Sequence, residues 1–231
     1  MAGISIEQYR AAVGIHHSVC KKGRFMSNLF FGGFIVPNIL FYNIYFPGLL
    51  LRCGDIESNP GPTNLISKII SMGHANVRSI TSMVQVGADQ SDKLCKFELV
   101  KAHILNHEYD VFGISETWLD SSVDVDLNIP GYHQPLRKDF NRHQRGIMVY
   151  ISQSLPARRR EDLEPPNTEI ICVEVQANKQ KFLICNCYRV PYYSIIDFGN
   201  DINSIIENAL PEFQDIFILG DMNARNSGFW P

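Results

Sequence analysis

The sequence predicts an α/β fold with both parallel and antiparallel strand pairing, and with its chemistry gathered where strands end. Three observations lead there. Apolar runs of strand length alternate with amphipathic helical stretches, a hairpin breaks that alternation, and several apolar runs end on a carboxylate or an amide. The run 111–114 delivers Ser115 and Glu116, the run 217–220 delivers Asp221 and Asn223, and a third segment ends at Asn76. Strand ends in open α/β sheets are where polar side chains meet a cleft. An Asn, a Glu and an Asp-x-Asn make an oxygen-rich set suited to a hard divalent cation.

The elements follow in order. Residues 68–79 read as a strand ending in His-Ala-Asn-Val-Arg-Ser. A helix is predicted over 92–106, with Leu94, Phe97, Lys101 and Ile104 on one side and Asp92 near its start, where an acid suits the helix dipole. Residues 109–115 form the strand that presents Glu116; 128–132 is a turn and 136–145 a basic loop. Residues 145–151 and 169–175 read as strands, and 181–188 pairs with the latter as a hairpin across 177–180. A helix over 194–210 turns Ile195, Ile196, Ile202, Ile205 and Ile206 inward, and 215–220 is the last strand. Arg158, Arg159 and Arg160 sit beside Glu161, Asp162 and Glu164, which reads as an exposed, locally compensated linker.

Composition sets the bounds. A chain of 231 residues with 45% hydrophobic content has the material for a substantial core. A net charge of -3 does not mark a general nucleic-acid binder, so any such role rests on a local patch. The six cysteines contain no Cys-x-x-Cys pair, which points to a reducing compartment without a disulfide framework or a zinc site. Cys185 and Cys187 share a strand face as packing residues, and His103 and His107, at helical spacing, read as a solvated face.

The chain divides at residue 61. Residues 1–61 form a leader whose stretch 25–51 holds no charged side chain, preceded by Lys21, Lys22 and Arg24. That pattern fits a signal or anchor segment for a membrane or the secretory pathway, although glycines, prolines and asparagines interrupt it. Within 54–62, Asp55, Glu57, Asn59, Pro60, Gly61 and Pro62 reproduce Asp-x-Glu-x-Asn-Pro-Gly-Pro. This resembles the 2A-like ribosome-skipping peptide of positive-strand RNA viruses and some retroelements. The resemblance implies a partner in the ribosome exit tunnel and a Gly61–Pro62 bond that is often never made. Proline's restricted ring is an awkward nucleophile for the peptidyl ester.

The second unit, 62–231, carries a further resemblance. Asn76 in Asn-Val-Arg-Ser-Ile, Glu116 in Ile-Ser-Glu-Thr-Trp-Leu-Asp, Tyr188 in Cys-Tyr-Arg-Val-Pro and Asp221 and Asn223 in Leu-Gly-Asp-Met-Asn-Ala-Arg occur in sequence. Together they resemble the endonuclease/exonuclease/phosphatase superfamily, and most of all the apurinic-type endonuclease domain of non-LTR (LINE) retrotransposons. The resemblance implies a DNase I-like two-sheet α/β sandwich, here truncated at the C-terminus, and a monomer that nicks one DNA strand with Mg²⁺. It casts Glu116 as the metal ligand with Asn76 beside it, Asp221 and Asn223 as holding phosphate and attacking water, and Tyr188 as donor to a phosphate oxygen. Tyr188 as a strand-end aromatic and Asn223 as a turn former are the plainer readings. Arg137, Lys138, Arg142, Arg145 and Arg189 are the expected DNA contacts, with a solvated basic loop as the alternative. Family members continue to a further Asp and a Ser-Asp-His ending that this sequence lacks. It is therefore expected to be a weakened catalyst with one sheet short and open-edged. The domain is expected in the nucleus or cytoplasm. Two other functions are compatible: a membrane-targeted leader with a non-catalytic remnant, and a lipid-headgroup phosphoesterase of the same fold.

Overall fold

The computed structural model describes residues 70–85, 93–123, 125–141, 145–177, 179–213 and 215–223, and, nearer the N-terminus, the backbone of four short strands. These four are β1 (Ile15–His16), β2 (Leu29–Phe31), β3 (Phe34–Val36) and β4 (Ile39–Tyr42). There follow β5 (Met72–Asn76), β6 (Met83–Gln85), β7 (Lys93–Cys95), α1 (Lys96–His107), β8 (Val111–Ser115), β9 (Leu136–Lys138) and β10 (Ile147–Ile151). The chain continues through β11 (Ala157–Arg159), a 3₁₀ turn (Glu161–Leu163), β12 (Glu169–Ala177), β13 (Gln180–Tyr188), α2 (Ile195–Ala209) and β14 (Asp215–Asp221).

Two five-stranded sheets result, in the orders β1-β5-β8-β10-β9 and β11-β12-β13-β14-β4. Each contains a parallel pair joined by a helical crossover, β5 with β8 and β13 with β14, and the second sheet also pairs β14 in parallel with β4. Helix α1 lies in the first crossover and α2 in the second. The fold therefore places two β-α-β units in facing sheets.

Three apolar clusters hold the layers together. Val111, Ile147, Val149, Ile171, Val173, Ile184 and Leu219 fill the space between the sheets. Phe97, Val100 and Ile104 of α1 pack on Ile114, Met148 and Tyr150, while Phe198, Ile202, Ile205 and Ile206 of α2 pack on Ile170, Leu183 and Ile218. The result is a helix–sheet–sheet–helix sandwich, the predicted fold class. Asn186 crosses the middle, donating from Nδ2 to the carbonyls of Ile114 (3.3 Å) and Met148 (3.2 Å).

Several local expectations are corrected. Residues 93–95 are strand, so α1 starts at Lys96, and Leu94 is exposed rather than part of its inner stripe. His103 is buried against Tyr109 and Phe112, not solvated. Ile195 and Ile196 face solvent, because only the i, i+3/i+4 series from Phe198 points at the sheet. The basic loop begins as strand β9, paired antiparallel with β10. The triple arginine is not a linker. Arg158 and Arg159 lie in β11, and buried Arg160 ties Asp162 to Glu212 at the end of α2. The far edge of β14 is not open either, since β4 pairs with it in parallel. Cys185 and Cys187 are packing residues in one core cluster.

The 2A-like positions 55, 57 and 59–62, and Arg142, lie outside the described residues. Within the apolar stretch 25–51 the described backbone is β2, β3 and β4. Among the described residues no helix is long and apolar enough to cross a membrane.

Candidate active site

Strands β5, β8, β13 and β14 finish at the same end of the sandwich, and that end carries the chemistry. Asn76 is the last residue of β5, Glu116 the first after β8, Tyr188 the last of β13 and Asp221 the last of β14. Tyr188 and Asp221 are paired in register, as are Asn76 and Ser115, so the two β-α-β units present their ends side by side.

The side chains then converge on one another. Asn76 Nδ2 donates to Glu116 Oε1 at 2.7 Å and to Asp221 Oδ2 at 2.9 Å. The Tyr188 hydroxyl donates to the same Glu116 Oε1 at 2.9 Å. Asn223 shares the cluster through its backbone N–H, 3.0 Å from Asp221 Oδ1, while its Nδ2 is spent on the Arg189 carbonyl at 2.7 Å. Burial, and after it the charge of Glu116, push the Tyr188 hydroxyl well above its ordinary pKa, so it stays a donor at neutral pH.

Backbone geometry sets the aim of these groups. Glu116 has φ +56° and Trp118 φ +54°, a left-handed conformation that ordinary side chains seldom take. The opposite segment holds them there: Val77 N–H, Ser79 N–H and Ile80 N–H donate to the carbonyls of Ser115, Glu116 and Thr117. On the other flank, Thr117 and Trp118 N–H donate to the carbonyls of Gly146 and Arg145. Gly146 itself sits at φ +89°. At Gly220 a Cβ would lie 1.8 Å from the Cys187 carbonyl oxygen, so only glycine lets β14 close on β13 just before Asp221.

Two supporting residues escaped sequence reasoning. Glu169, whose side chain is 1% exposed, accepts from Arg145 Nε and from Gly146 N–H, and so anchors the segment that holds the Glu116 loop. Burial raises its pKa, against the pull of Arg145. Its signal was a carboxylate opening an otherwise apolar strand, Glu-Ile-Ile-Cys-Val. Lys96 donates to the carbonyls of Val77 (2.7 Å) and Arg78 (2.8 Å), bracing the turn after Asn76. Nothing in the local sequence announced that contact.

The expected DNA contacts are placed less simply. Arg137 pairs with Asp139 at 2.6 Å, Lys138 with Glu164 at 3.6 Å, and Arg145 with Glu169 while stacking over Phe140. Arg189 gives its guanidinium to the carbonyls of Met222, Asn223 and Tyr193, so it clamps β13's exit to β14's. The structure thus spends these donors within the chain.

A cation fits the cluster. Glu116 and Asp221 both lean on one amide nitrogen, and among the described residues neither has an ion-pair partner. Asn76 Oδ1 is buried and without a hydrogen-bond partner. No set of three or more His, Cys, Asp or Glu side chains encloses a metal among the described residues. Two carboxylates held on one amide form a half-open, oxygen-rich site, the kind that suits Mg²⁺ with water and substrate phosphate as further ligands.

Residues 73–231 match the endonuclease/exonuclease/phosphatase family. Among solved structures, similarity is found to the endonuclease domain of TRAS1, a telomere-specific non-LTR retrotransposon, at 13% identity and TM-score 0.41 over 54% of this chain and 51% of that one. It is also found to the human Nocturnin catalytic domain, at 16% identity and TM-score 0.40 over 57% of each chain. A third is TDP2 from Caenorhabditis elegans, at 14% identity and TM-score 0.43 over 58% of this chain and 44% of that one. The chain thus spans about half the length of these structures. No curated protein matches it.

Proposed function

The chain belongs to the endonuclease/exonuclease/phosphatase family, and we propose that it is a Mg²⁺-dependent phosphodiesterase of the retrotransposon type that nicks one strand of DNA. The observation that carries this reading is the uncompensated pair Glu116 and Asp221 joined by Asn76 and capped by Tyr188. Two carboxylates that close, with no ion-pair partner among the described residues, repel each other unless a cation joins them. Phosphodiester hydrolysis needs that cation and aimed donors for the charge that builds on phosphate oxygen.

The residues divide the work. Glu116 Oε1 is taken by two donors, which leaves Oε2 to face a metal. Asn76 fixes the spacing of both carboxylates and offers Oδ1. Asp221, steadied by the Asn223 N–H, is placed to orient a water, and the spare amide hydrogen of Asn223 to meet a phosphate oxygen. Tyr188, held protonated, shifts its hydrogen bond from Glu116 toward phosphate as charge develops there. Bound Mg²⁺ would supply Lewis acidity at that phosphate.

A supercoiled-plasmid nicking assay on the full chain tests this. Nicking should appear with Mg²⁺, vanish with EDTA and fall by at least about 10²-fold in Glu116→Ala. Absence of nicking across Mg²⁺ concentrations, with hydrolysis of a phosphoinositide or sphingomyelin headgroup instead, would transfer the site to the lipid substrate class.

The reading extends to the leader. Skipping at Gly61/Pro62 would release residues 1–61, a leader bound for a membrane, from a domain that works on DNA in the nucleus or cytoplasm. The support is the run of Asp55, Glu57, Asn59, Pro60, Gly61 and Pro62. Translation in a eukaryotic lysate should give two products, and Pro62→Ala should give one.

A further inference from the structure

The cluster creates an electrostatic problem that points to its own solution. A DNA phosphate must approach Glu116 and Asp221, and Glu169 adds a third carboxylate behind them. Of the basic side chains that the sequence offered as phosphate contacts, the four described ones are engaged elsewhere: Arg137, Lys138 and Arg145 with carboxylates, Arg189 with three carbonyls. Among the described residues, one basic side chain beside the cluster is not. Arg78 is exposed, and among the described residues its guanidinium has no hydrogen-bond or ion-pair partner.

Its placement is fixed by backbone. Arg78 follows Asn76 by two residues and sits between Val77 and Ser79, whose N–H groups donate to Ser115 O (3.0 Å) and Glu116 O (2.8 Å). Its φ is +44° and that of Ser79 +73°, so the chain turns sharply at this point. Lys96 Nζ holds the turn from beneath through the carbonyls of Val77 and Arg78. Burial, and then the proximity of Arg78, lower the pKa of Lys96 while Glu116 opposes the change, so both charges lie within electrostatic reach of that ammonium. The lysines that lack a partner among the described residues lie elsewhere. Lys179 is at the opposite end of β13, roughly 30 Å of strand from Tyr188, and Lys93 is on the separate β6–β7 pair.

We infer that Arg78 is a substrate-binding residue of this site, its guanidinium receiving a backbone phosphate of the nucleic-acid strand beside the one to be cut. The inference rests on the phosphodiesterase reading and names what brings a polyanion to a carboxylate-lined centre. A planar guanidinium can take a phosphate through two parallel hydrogen bonds, and its fixed charge offsets the repulsion that the carboxylates impose. The braced left-handed turn limits the backbone freedom lost when the contact forms.

The test compares the unaltered chain with Arg78→Gln and Arg78→Lys. Gln keeps much of the side-chain length and meets the same backbone strain, and since the guanidinium touches nothing the thermal midpoint should not move. Binding to a short fluorescein-labelled duplex is followed by anisotropy without divalent cation, across a series of salt concentrations. Arg78→Gln should weaken binding by roughly three- to tenfold at low salt and lower the slope of log affinity on log salt by about one, whereas Arg78→Lys keeps the slope. In nicking assays KM should rise with kcat little changed. Wild-type affinity and slope in Arg78→Gln would overturn the assignment even if the unaltered protein nicks DNA. Failure of the unaltered protein to nick or bind DNA would instead overturn the reading of the site, and this assignment with it.

Discussion

Glu116 occupies a backbone conformation that few side chains take, and its carboxylate faces another without a cation between them. Residues held in left-handed conformations cost about 1–3 kcal/mol each and persist where neighbours over-determine them. Here the neighbours are the three donors from 77–80 and the two carbonyls of 145–146. Repulsion from Asp221 adds to that strain. Glu116→Gln removes it, so in metal-free buffer the variant should be more stable than the parent by about 1 kcal/mol. Adding Mg²⁺ should raise the thermal midpoint of the parent and leave that of the variant where it was. If metal moves neither midpoint, Glu116 is not a ligand. The carboxylates were legible in the sequence because each ends an apolar run, a pattern that locates a strand and its terminus together. Glu169 was not legible in this way. It opens a strand instead of closing one, and its partners Arg145 and Gly146 lie 24 and 23 residues away. Removing its charge leaves Arg145 with an uncompensated, half-buried guanidinium. Glu169→Gln should cost about 2 kcal/mol in urea unfolding, with Arg145→Met restoring part of the loss in the double variant.

At the level of elements, the two β-α-β units explain why four polar side chains from distant parts of the chain meet. A parallel pair starts both strands at the same end, so both finish together, and the facing of the sheets does the rest. Besides the apolar clusters, a polar contact crosses the interior between the sheets. Asn186 on β13 reaches β8 and β10, and Gly113 lets it in: a Cβ there would stand 2.4 Å from Asn186 Oδ1 and 2.7 Å from Leu219 Cδ1. Gly113→Ala should therefore destabilise the chain by about 1–3 kcal/mol through overpacking. Asn186→Ala should cost about 2 kcal/mol through the lost hydrogen bonds. Combined, the two should cost less than their sum, because the truncated Asn makes room for the methyl. Strict additivity in urea midpoints would mean that the sheets are held in register by something else. The strand cores and α2 were legible because their periodicity is strong. The boundaries were less so where a short strand borrows residues that also fit a helix, as in 93–95, or where charged residues form a strand edge, as in 157–159. In both places pairing across the sheet, invisible in a local window, decides the outcome.

For the molecule as a whole, the α/β class was predictable from the alternation of elements and the two-layer sheet system from the family resemblance, but the way its outer loops are fastened was not. The loop 125–133 crosses the face of the first sheet and is tied down by tyrosine hydroxyls buried under it. Tyr132 donates to the Tyr109 carbonyl at 2.6 Å, and Tyr150 donates to the Leu127 carbonyl at 2.7 Å. Burial pushes the hydroxyl pKa of Tyr109 and of Tyr132 up to about 12, the latter helped by Asp110 and Glu108. Each folded-state value exceeds the ordinary 10.0 of an unfolded tyrosine. The sign follows from which state binds the proton more tightly. The folded chain does, so the stability these groups contribute is complete below pH 10 and drains away as pH rises through about 12. The urea midpoint should hold level toward pH 10 and then fall steeply, with tyrosinate absorbance appearing together with loss of structure. Tyr132→Phe lacks one of these protons and one of these ties. It should start from a lower midpoint at neutral pH and lose less of it on the alkaline side. An equal alkaline slope in the variant would show that the loop is held by its apolar contacts, Leu127 and Ile129 among them, and that the hydroxyls contribute little to the closure of the sandwich.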